Sequence, residues 1–377
     1  MTSATDILDL VRDSAAARTP LRIAGRSHWM DAGRPVDATR IASLAPHSGV
    51  VDYVPGDLTI TVRGGTTLDE IERVTGAEGQ WLPLDPFGST DGTIGATIAT
   101  GSFGPLAHGF GRARDLVLGV EFVTGDGRTV RGGGRVVKNV AGFDLVRLVT
   151  GSWGTIGIVT EATLRLYSRP ASSLTVSMSV SDNPQQLSQR LSSILSAPVT
   201  ALAVELVSSG IAERIGLPRR PAILIELAGN AASVMAQRES LSRLGGMTEI
   251  ADSPWGPLRT IEASVNSPAV LRLSALPGHI GEVWSQAARV LETVDDALMH
   301  ATPGLGIVRC IVPASNAAAM RALDTLPGNV TVLPERLPAD IWPDISPSVV
   351  SDRLSQGIMK AFDPWHILNP GILGPVS

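Results

Sequence analysis

With 377 residues the chain has room for two or three domains and a sizeable buried core. Its 44% hydrophobic and 18% charged residues exclude a disordered polymer or a coiled coil, and a net charge of −5 leaves no basic surplus for a nucleic-acid backbone. The single cysteine, Cys310, excludes an internal disulfide, a zinc site or an iron–sulfur cluster of the chain's own, so any such cluster belongs to another polypeptide.

Asp6 and Asp9 stand where an export signal would carry positive charge and an apolar core, which predicts a cytoplasmic protein. Residues 4–18 read as a helix, followed after Pro20 by the strand-like run 21–24 and the turn AGRSHWMDAG. Two β-branched runs flank Pro55-Gly56-Asp57, and Thr67-Leu68-Asp69-Glu70 forms a capping box that opens a helix to about Gly76. From Gln80 to Pro105 helical periodicity disappears and small residues dominate, so backbone rather than side chains should face a ligand there. Gly92 to Gly111 is uncharged but rich in Gly and Thr and broken by Pro105, which predicts loop and short strand rather than a membrane span. Gly125-Asp126-Gly127 marks a hairpin, and a helix near Phe143–Val149 and a strand near Ile156–Leu166 follow. Beyond Pro170 the runs LTVSMSV, ALAVELV, AILIELAG, LRLSAL, GIVRCIV and NVTVLPE read as strands, with helices near 184–195, 230–244, 280–293 and 314–325. That alternation suggests a ferredoxin-like α+β domain, single or duplicated, over 171–350, between a first domain at 1–170 and a tail at 351–377.

No Gly-Lys dipeptide exists, so a Walker-type phosphate loop is absent, and no GxGxxG supports a Rossmann site. The six histidines include no HxH or HxxxH pair, and GxSxG is missing. Lys138 and Lys360 are the only lysines. A diphosphate bound here must therefore rest on backbone N–H groups, which successive amides in Gly-rich turns present as a concave nest. Gly25–Gly33, Gly88–Gly104 and Gly151–Gly157 are three such loops; each alone could be a tight turn, but together they favour a dinucleotide held in non-Rossmann fashion.

PLDPFGSTDGTIGATIATGSFGP, GRARDLVLGVEFVTGDG, GGRVVKNVAGFDLVRLVTGSWGTIGIVTEATLRL and FDPWHILNPG resemble, in order, the FAD-binding domain of the vanillyl-alcohol oxidase and p-cresol methylhydroxylase (PCMH) superfamily. The resemblance covers residues 15–170 and the tail. It implies an α+β fold: a two-subdomain PCMH-type FAD-binding domain followed by the ferredoxin-like α+β domain. RVVKNVAGFDL is most similar to the E-subunit family of bacterial glycolate oxidases, flavin-binding partners of a related catalytic flavoprotein subunit and an iron–sulfur subunit.

By that resemblance Gly25, Arg26, Ser27 and His28 lie against the FAD phosphates, with covalent attachment through His28 as an alternative role. Thr93, Ile94, Gly95 and Thr97 match the second phosphate and ribityl loop, with Gly101 and Ser102 following near the flavin. Arg114 and Asp115 match the pair that leads into the next strand, and Lys138, Asn139, Ala141 and Gly142 a flavin-side turn. There a lysine would stabilise the anionic reduced ring. Gly157, Ile158 and Val159 match the adenine or flavin edge, and Asn369 a tail residue that returns to the flavin, although Asn before Pro-Gly also suits an Asx turn.

Relatives that oxidise 2-hydroxy acids carry a paired-histidine metal motif that has no counterpart between Pro170 and Pro370. His279, His300, Arg272 and Arg309 stand singly, so no catalytic residue and no metal ligand is assigned. The resemblance thus implies an auxiliary FAD subunit of a complex acting on a small 2-hydroxy acid, placed at the inner face of a membrane through its partners. A stand-alone flavin oxidoreductase and a flavin-free structural subunit are the rival readings.

Overall fold

The computed structural model describes residues 4–134, 143–181, 183–345 and 350–374, in two compact units. The first gathers the chain up to Phe103, Gly111–Arg169 and the C-terminal segment from Pro347; the second gathers Gly104–Phe110 and Pro170–Ser346. Gly104–Phe110, within the segment read as the first domain, thus groups with the second unit.

The first unit contains β1 (Leu21–Ala24), β2 (Arg40–Ser43), β3 (Val50–Val54), β4 (Thr59–Arg63), β5 (Gln80–Trp81), β6 (Val117–Val123), β7 (Thr129–Gly133), β8 (Ile158–Arg165) and β9 (Tyr167–Ser168). β1 and β2 pair in parallel, β5 and β9 form a short antiparallel pair, and an antiparallel sheet runs β3-β4-β8-β6-β7. Its central strands bury Ile60, Val62, Val120, Phe122, Ala162 and Leu164, and on the other pleat the Thr61 and Thr163 hydroxyls meet across β4 and β8 at 3.0 Å. Helix α1 (Ala4–Ala17) buries Ile7 and Val11 against Leu21, Ile158, Ile367 and Leu368, so both ends of the described chain share one core. Helix α2 (Leu68–Gly76) begins where the capping box placed it, the Thr67 hydroxyl accepting from Glu70 N–H at 3.1 Å.

The segment 80–105, read as non-helical, contains helix α3 (Ile94–Thr100). Thr93 caps it by accepting from Ala96 N–H at 3.3 Å, and Gly101, at φ 64°, ends it in the left-handed conformation. Ile94 and Ile98, one turn apart, are wholly buried. Gly95 allows the close approach: a Cβ there would lie 2.7 Å from the Gly64 carbonyl oxygen. The glycines that hide the helix in the sequence are what let it pack.

The second unit contains β10 (Ser172–Ser179), β11 (Ala201–Val207), β12 (Ala222–Gly229), β13 (Met247–Ile250), β14 (Pro268–Ser274), β15 (Leu298–Thr302), β16 (Ile307–Pro313) and β17 (Thr331–Arg336). They form an eight-stranded sheet in the order β13-β10-β12-β11-β15-β16-β14-β17. Each half runs β-α-β-β-α-β with strand order 4-1-3-2, and β11 joins β15 where the halves meet. β13 and β15 were not legible in the sequence, because both are short and β15 carries His300 and Thr302 inside a wholly buried strand. Helices Pro184–Leu195, Ala231–Ser242, Ile280–Leu291 and Ala317–Asp324 contribute to the core on one face, against Leu206, Ile225, Met299 and Cys310.

Alternation puts Glu205, His300, Arg309 and Arg272 on the opposite pleat. Register sets Arg272 directly beside Arg309, a repulsive pair that Glu335 resolves by accepting from both, with 3.1 Å to Arg272. Glu262 forms an ion pair with Arg309 at 2.8 Å and accepts from Arg336 at 3.1 Å. The Glu205 carboxyl meets His300 Nδ1 at 2.6 Å and Thr302 Oγ1 at 2.9 Å. Burial pushes Glu205 up to about 8 and His300 down to about 3, so between those limits the pair keeps one shared proton and no net charge. Unfolded, the same groups titrate near their ordinary 4.5 and 6.5. From pH 6.5 to 8 the native pair therefore holds a proton that the unfolded chain has lost, and stability falls as pH rises; below 4.5 it falls again as pH drops. Urea titrations should show wild type losing stability between pH 6.5 and 8, and Glu205→Gln losing measurably less over that window. Equal losses in the two proteins would refute the shared proton.

Candidate functional site

β1 ends at Ala24 and the chain turns through Gly25, Arg26, Ser27 and His28, all of which line a cleft in the first unit. Among the described residues, the backbone N–H groups of these four residues donate to no protein acceptor. Ser27 holds a φ of 67°, the left-handed step that lets successive N–H groups converge. Arg22, 7% exposed, holds the next stretch of the loop: its Nη2 lies 3.0 Å from the Trp29 carbonyl oxygen and 3.3 Å from those of Met30 and Ala32. Three carbonyls that follow His28 are thereby tied to β1. Burial lowers the Arg22 pKa, which nearby Asp31 partly offsets, and the side chain supplies a fixed positive charge behind the loop.

The opposite wall is α3 and the turn before it. Gly92, Ala96, Ala99 and Thr100 line the cleft, a small-residue stripe at helical spacing, with Thr93 and Gly95 beside it. Gly25 and Thr93 pack so closely that a Cβ on Gly25 would lie 2.2 Å from the Thr93 hydroxyl. The first N–H groups of α3 point away from the cleft: Ile94 donates to Thr66 at 2.9 Å and Gly95 to Gly64 at 2.9 Å. The N–H groups of Ile94 and Gly95 are thus spent on the protein itself.

A third wall comes from Trp153, Gly154, Gly157, Ile158 and Val159. Here Asn369 joins three pieces of chain. Its Oδ1 accepts from Ile23 N–H at 2.8 Å, its Nδ2 donates to the Trp153 carbonyl at 2.8 Å, and its own N–H donates to Leu21 at 2.9 Å. Its φ of 44° is left-handed, which Asn tolerates better than most side chains. The tail residue expected to touch flavin lines the cleft and is also a strut, its carboxamide bonded to protein at both ends.

Ten expected residues therefore converge: Gly25, Arg26, Ser27, His28, Thr93, Gly95, Gly157, Ile158, Val159 and Asn369. Six do not line the cleft. Ile94 is wholly buried beneath α3, and Thr97 turns its hydroxyl back to the Thr93 carbonyl at 3.1 Å. Gly101 serves as the left-handed end of α3, with Ser102 buried beside it. Asp115 accepts from Arg112 N–H at 2.8 Å to close a helical turn, and Arg114 lies beside Asp115 on that turn. Lys138, Asn139 and Gly142 lie outside the described residues, as does Ala141. Arg22, Trp29 and Trp153 escaped the sequence reading; Arg22 sits in an ordinary strand, and only the three carbonyls seven to ten residues on reveal its role.

Asn369→Ala leaves Ile23 N–H and the Trp153 carbonyl unpaired, costing about 1–3 kcal/mol for each buried group. The expected result is a lower unfolding midpoint together with weaker cofactor binding, read by thermal melts and equilibrium titration. Loss of one without the other would show that the strut and the cleft are independent.

Residues 1–133 match the FAD binding domain family. Glycolate oxidase subunit GlcE of Escherichia coli is 34% identical over 307 residues, covering 78% of this chain and 82% of that protein. Glycolate oxidase subunit GlcD of Bacillus subtilis is 33% identical over 196 residues, 50% of this chain and 42% of that protein. The solved structure of alkyldihydroxyacetonephosphate synthase superposes with a TM-score of 0.69 at 15% identity, covering 98% of this chain and 76% of that one. The residues present fit the group that the family binds: four cleft-lining residues whose N–H groups have no protein acceptor among the described residues, a buried guanidinium behind their loop and a facing wall of Gly, Ala and Thr. The chain belongs to the PCMH-type family of FAD-dependent oxidoreductases that includes glycolate oxidase subunit GlcE, and FAD is its cofactor.

Proposed function

We propose that the chain is the auxiliary FAD-binding subunit of a glycolate or related 2-hydroxy-acid dehydrogenase complex, beside a catalytic flavoprotein subunit and an iron–sulfur subunit. The observation that carries this reading is the likeness to a glycolate oxidase subunit across 82% of that protein's length, in a chain that cannot build a cluster. Its one thiol, Cys310, is buried on β16 and pushed up to about 12 by desolvation, so it is neither a ligand nor a nucleophile. Among the described residues no group of three or more His, Cys, Asp or Glu could hold a metal ion, and no helix is long and apolar enough to cross a membrane.

Bound FAD would supply two-electron acceptance and one-electron release. The chain's own contribution is binding and orientation. Gly25–His28 present N–H groups to the diphosphate, Arg22 holds that loop and adds a positive charge, and the stripe of Ala96, Ala99 and Thr100 leaves room for flat or extended parts of the cofactor. Lys138, Asn139 and Gly142 complete the proposed set from the sequence. Electrons derived from a 2-hydroxy acid, two with two protons per 2-oxo acid formed, would leave through clusters on another polypeptide.

The purified chain should bind about one FAD, accept electrons from dithionite and remain oxidised with millimolar glycolate or lactate under anaerobic stopped flow. Activity should appear when a related flavoprotein subunit and a cysteine-rich subunit are added. Rapid stoichiometric bleaching by glycolate alone would replace this reading with a stand-alone oxidoreductase.

A further inference from the structure

The mouth of the cleft carries an acid where an anionic cofactor would be expected to meet only donors. Asp91 sits on the turn just before Gly92 and Thr93. That turn is pinned to the start of α2, Leu68 N–H donating to the Gly92 carbonyl at 3.0 Å and Asp69 N–H to that of Thr90 at 3.2 Å. Across from it, His28 Nε2 lies 2.8 Å from Asp91 Oδ1 and Arg26 Nε lies 3.4 Å from Asp91 Oδ2. The Ser89 hydroxyl donates to the same carboxylate. One carboxylate thus engages both basic side chains of the first loop. Hydrogen bonding from Ser89, then the charges of His28 and Arg26, hold the Asp91 carboxyl below its usual range despite some burial, so it is an anion at neutral pH.

We propose that Asp91 is a built-in competitor for the cofactor's diphosphate: it holds Arg26 and His28 between the first and second loops, and FAD must displace it from them. The proposal rests on the reading of Gly25–His28 as the diphosphate loop. A carboxylate and a phosphate oxygen seek the same donors, and the two cannot share a guanidinium edge and an imidazole nitrogen without repulsion. The three side chains are 37–49% exposed, so the ion pairs contribute little to the fold and exchange readily for a better anion. Arg26 and His28 line the cleft, and the turn that carries Asp91 is anchored elsewhere, so it is the first loop's side chains that change partner. A purely structural clasp would act with the opposite sign, because its removal would loosen the loops and weaken binding.

The test is calorimetric titration of the apoprotein with FAD, ADP and riboflavin, comparing wild type, Asp91→Asn and Ser89→Ala, the last loosening the carboxylate without removing it. Asp91→Asn should bind FAD and ADP about 3- to 10-fold more tightly, Ser89→Ala should shift the same way by less, and high salt should narrow both differences. Riboflavin, which has no phosphate, should bind all three proteins alike. Unchanged or weaker FAD and ADP binding by Asp91→Asn, with wild type binding normally, overturns the competitor. Failure of wild type to bind FAD overturns the loop assignment, and the proposal with it.

Discussion

The carboxamide of Asn369 is the point to which the walls of the cofactor cleft are referenced. A nest of backbone N–H groups has no stiffness of its own, since its donors hold their directions only while the loop that carries them is fixed from behind. Asn369 fixes β1 through Ile23, 346 residues away in sequence, and the third loop through Trp153. Arg22 then transfers that fixation into the first loop by gathering its carbonyls. Neither residue needs to touch the cofactor to decide whether it binds.

This arrangement explains how a chain with only two lysines can serve an anionic dinucleotide. In the proposed site the positive field comes from backbone amides and from the guanidinium groups of Arg22, which is already held, and Arg26, rather than from lysine ammonium groups. The burial of Arg22 is tolerable because three carbonyls accept from it.

Much of the first unit was legible in the sequence because its determinants are local. The Thr67 cap, the Gly125–Gly127 turn and the Gly25 loop each depend on residues within a few positions of one another. Helix α3 was not legible, since its glycines and threonines suppress helical periodicity and its stability comes from Gly95 lying on Gly64. The resemblance to known flavoproteins pointed to loops of which ten residues line one cleft, but it did not show the division of labour within them. Ile94 and Gly95 aim their N–H groups into the protein, and Asn369 is bonded at both ends, facts fixed by partners dozens or hundreds of residues away. In the second unit the apolar strands announced themselves. β15 did not, because the polar residues that make it look like a surface segment are paired with Glu205 in the interior.

The discontinuous first unit also has a consequence for biosynthesis. Its core needs Ile367 and Leu368, and its cleft needs Asn369, yet these residues emerge from the ribosome after the whole of the second unit. The eight-stranded sheet can therefore close while the amino-terminal segment still lacks a core partner, reversing the usual order in which amino-terminal domains fold first. Until Ile367 and Leu368 arrive, Leu21, Leu44 and Ile158 lack part of their apolar cover. Completion of this core therefore waits on a segment made after the second unit.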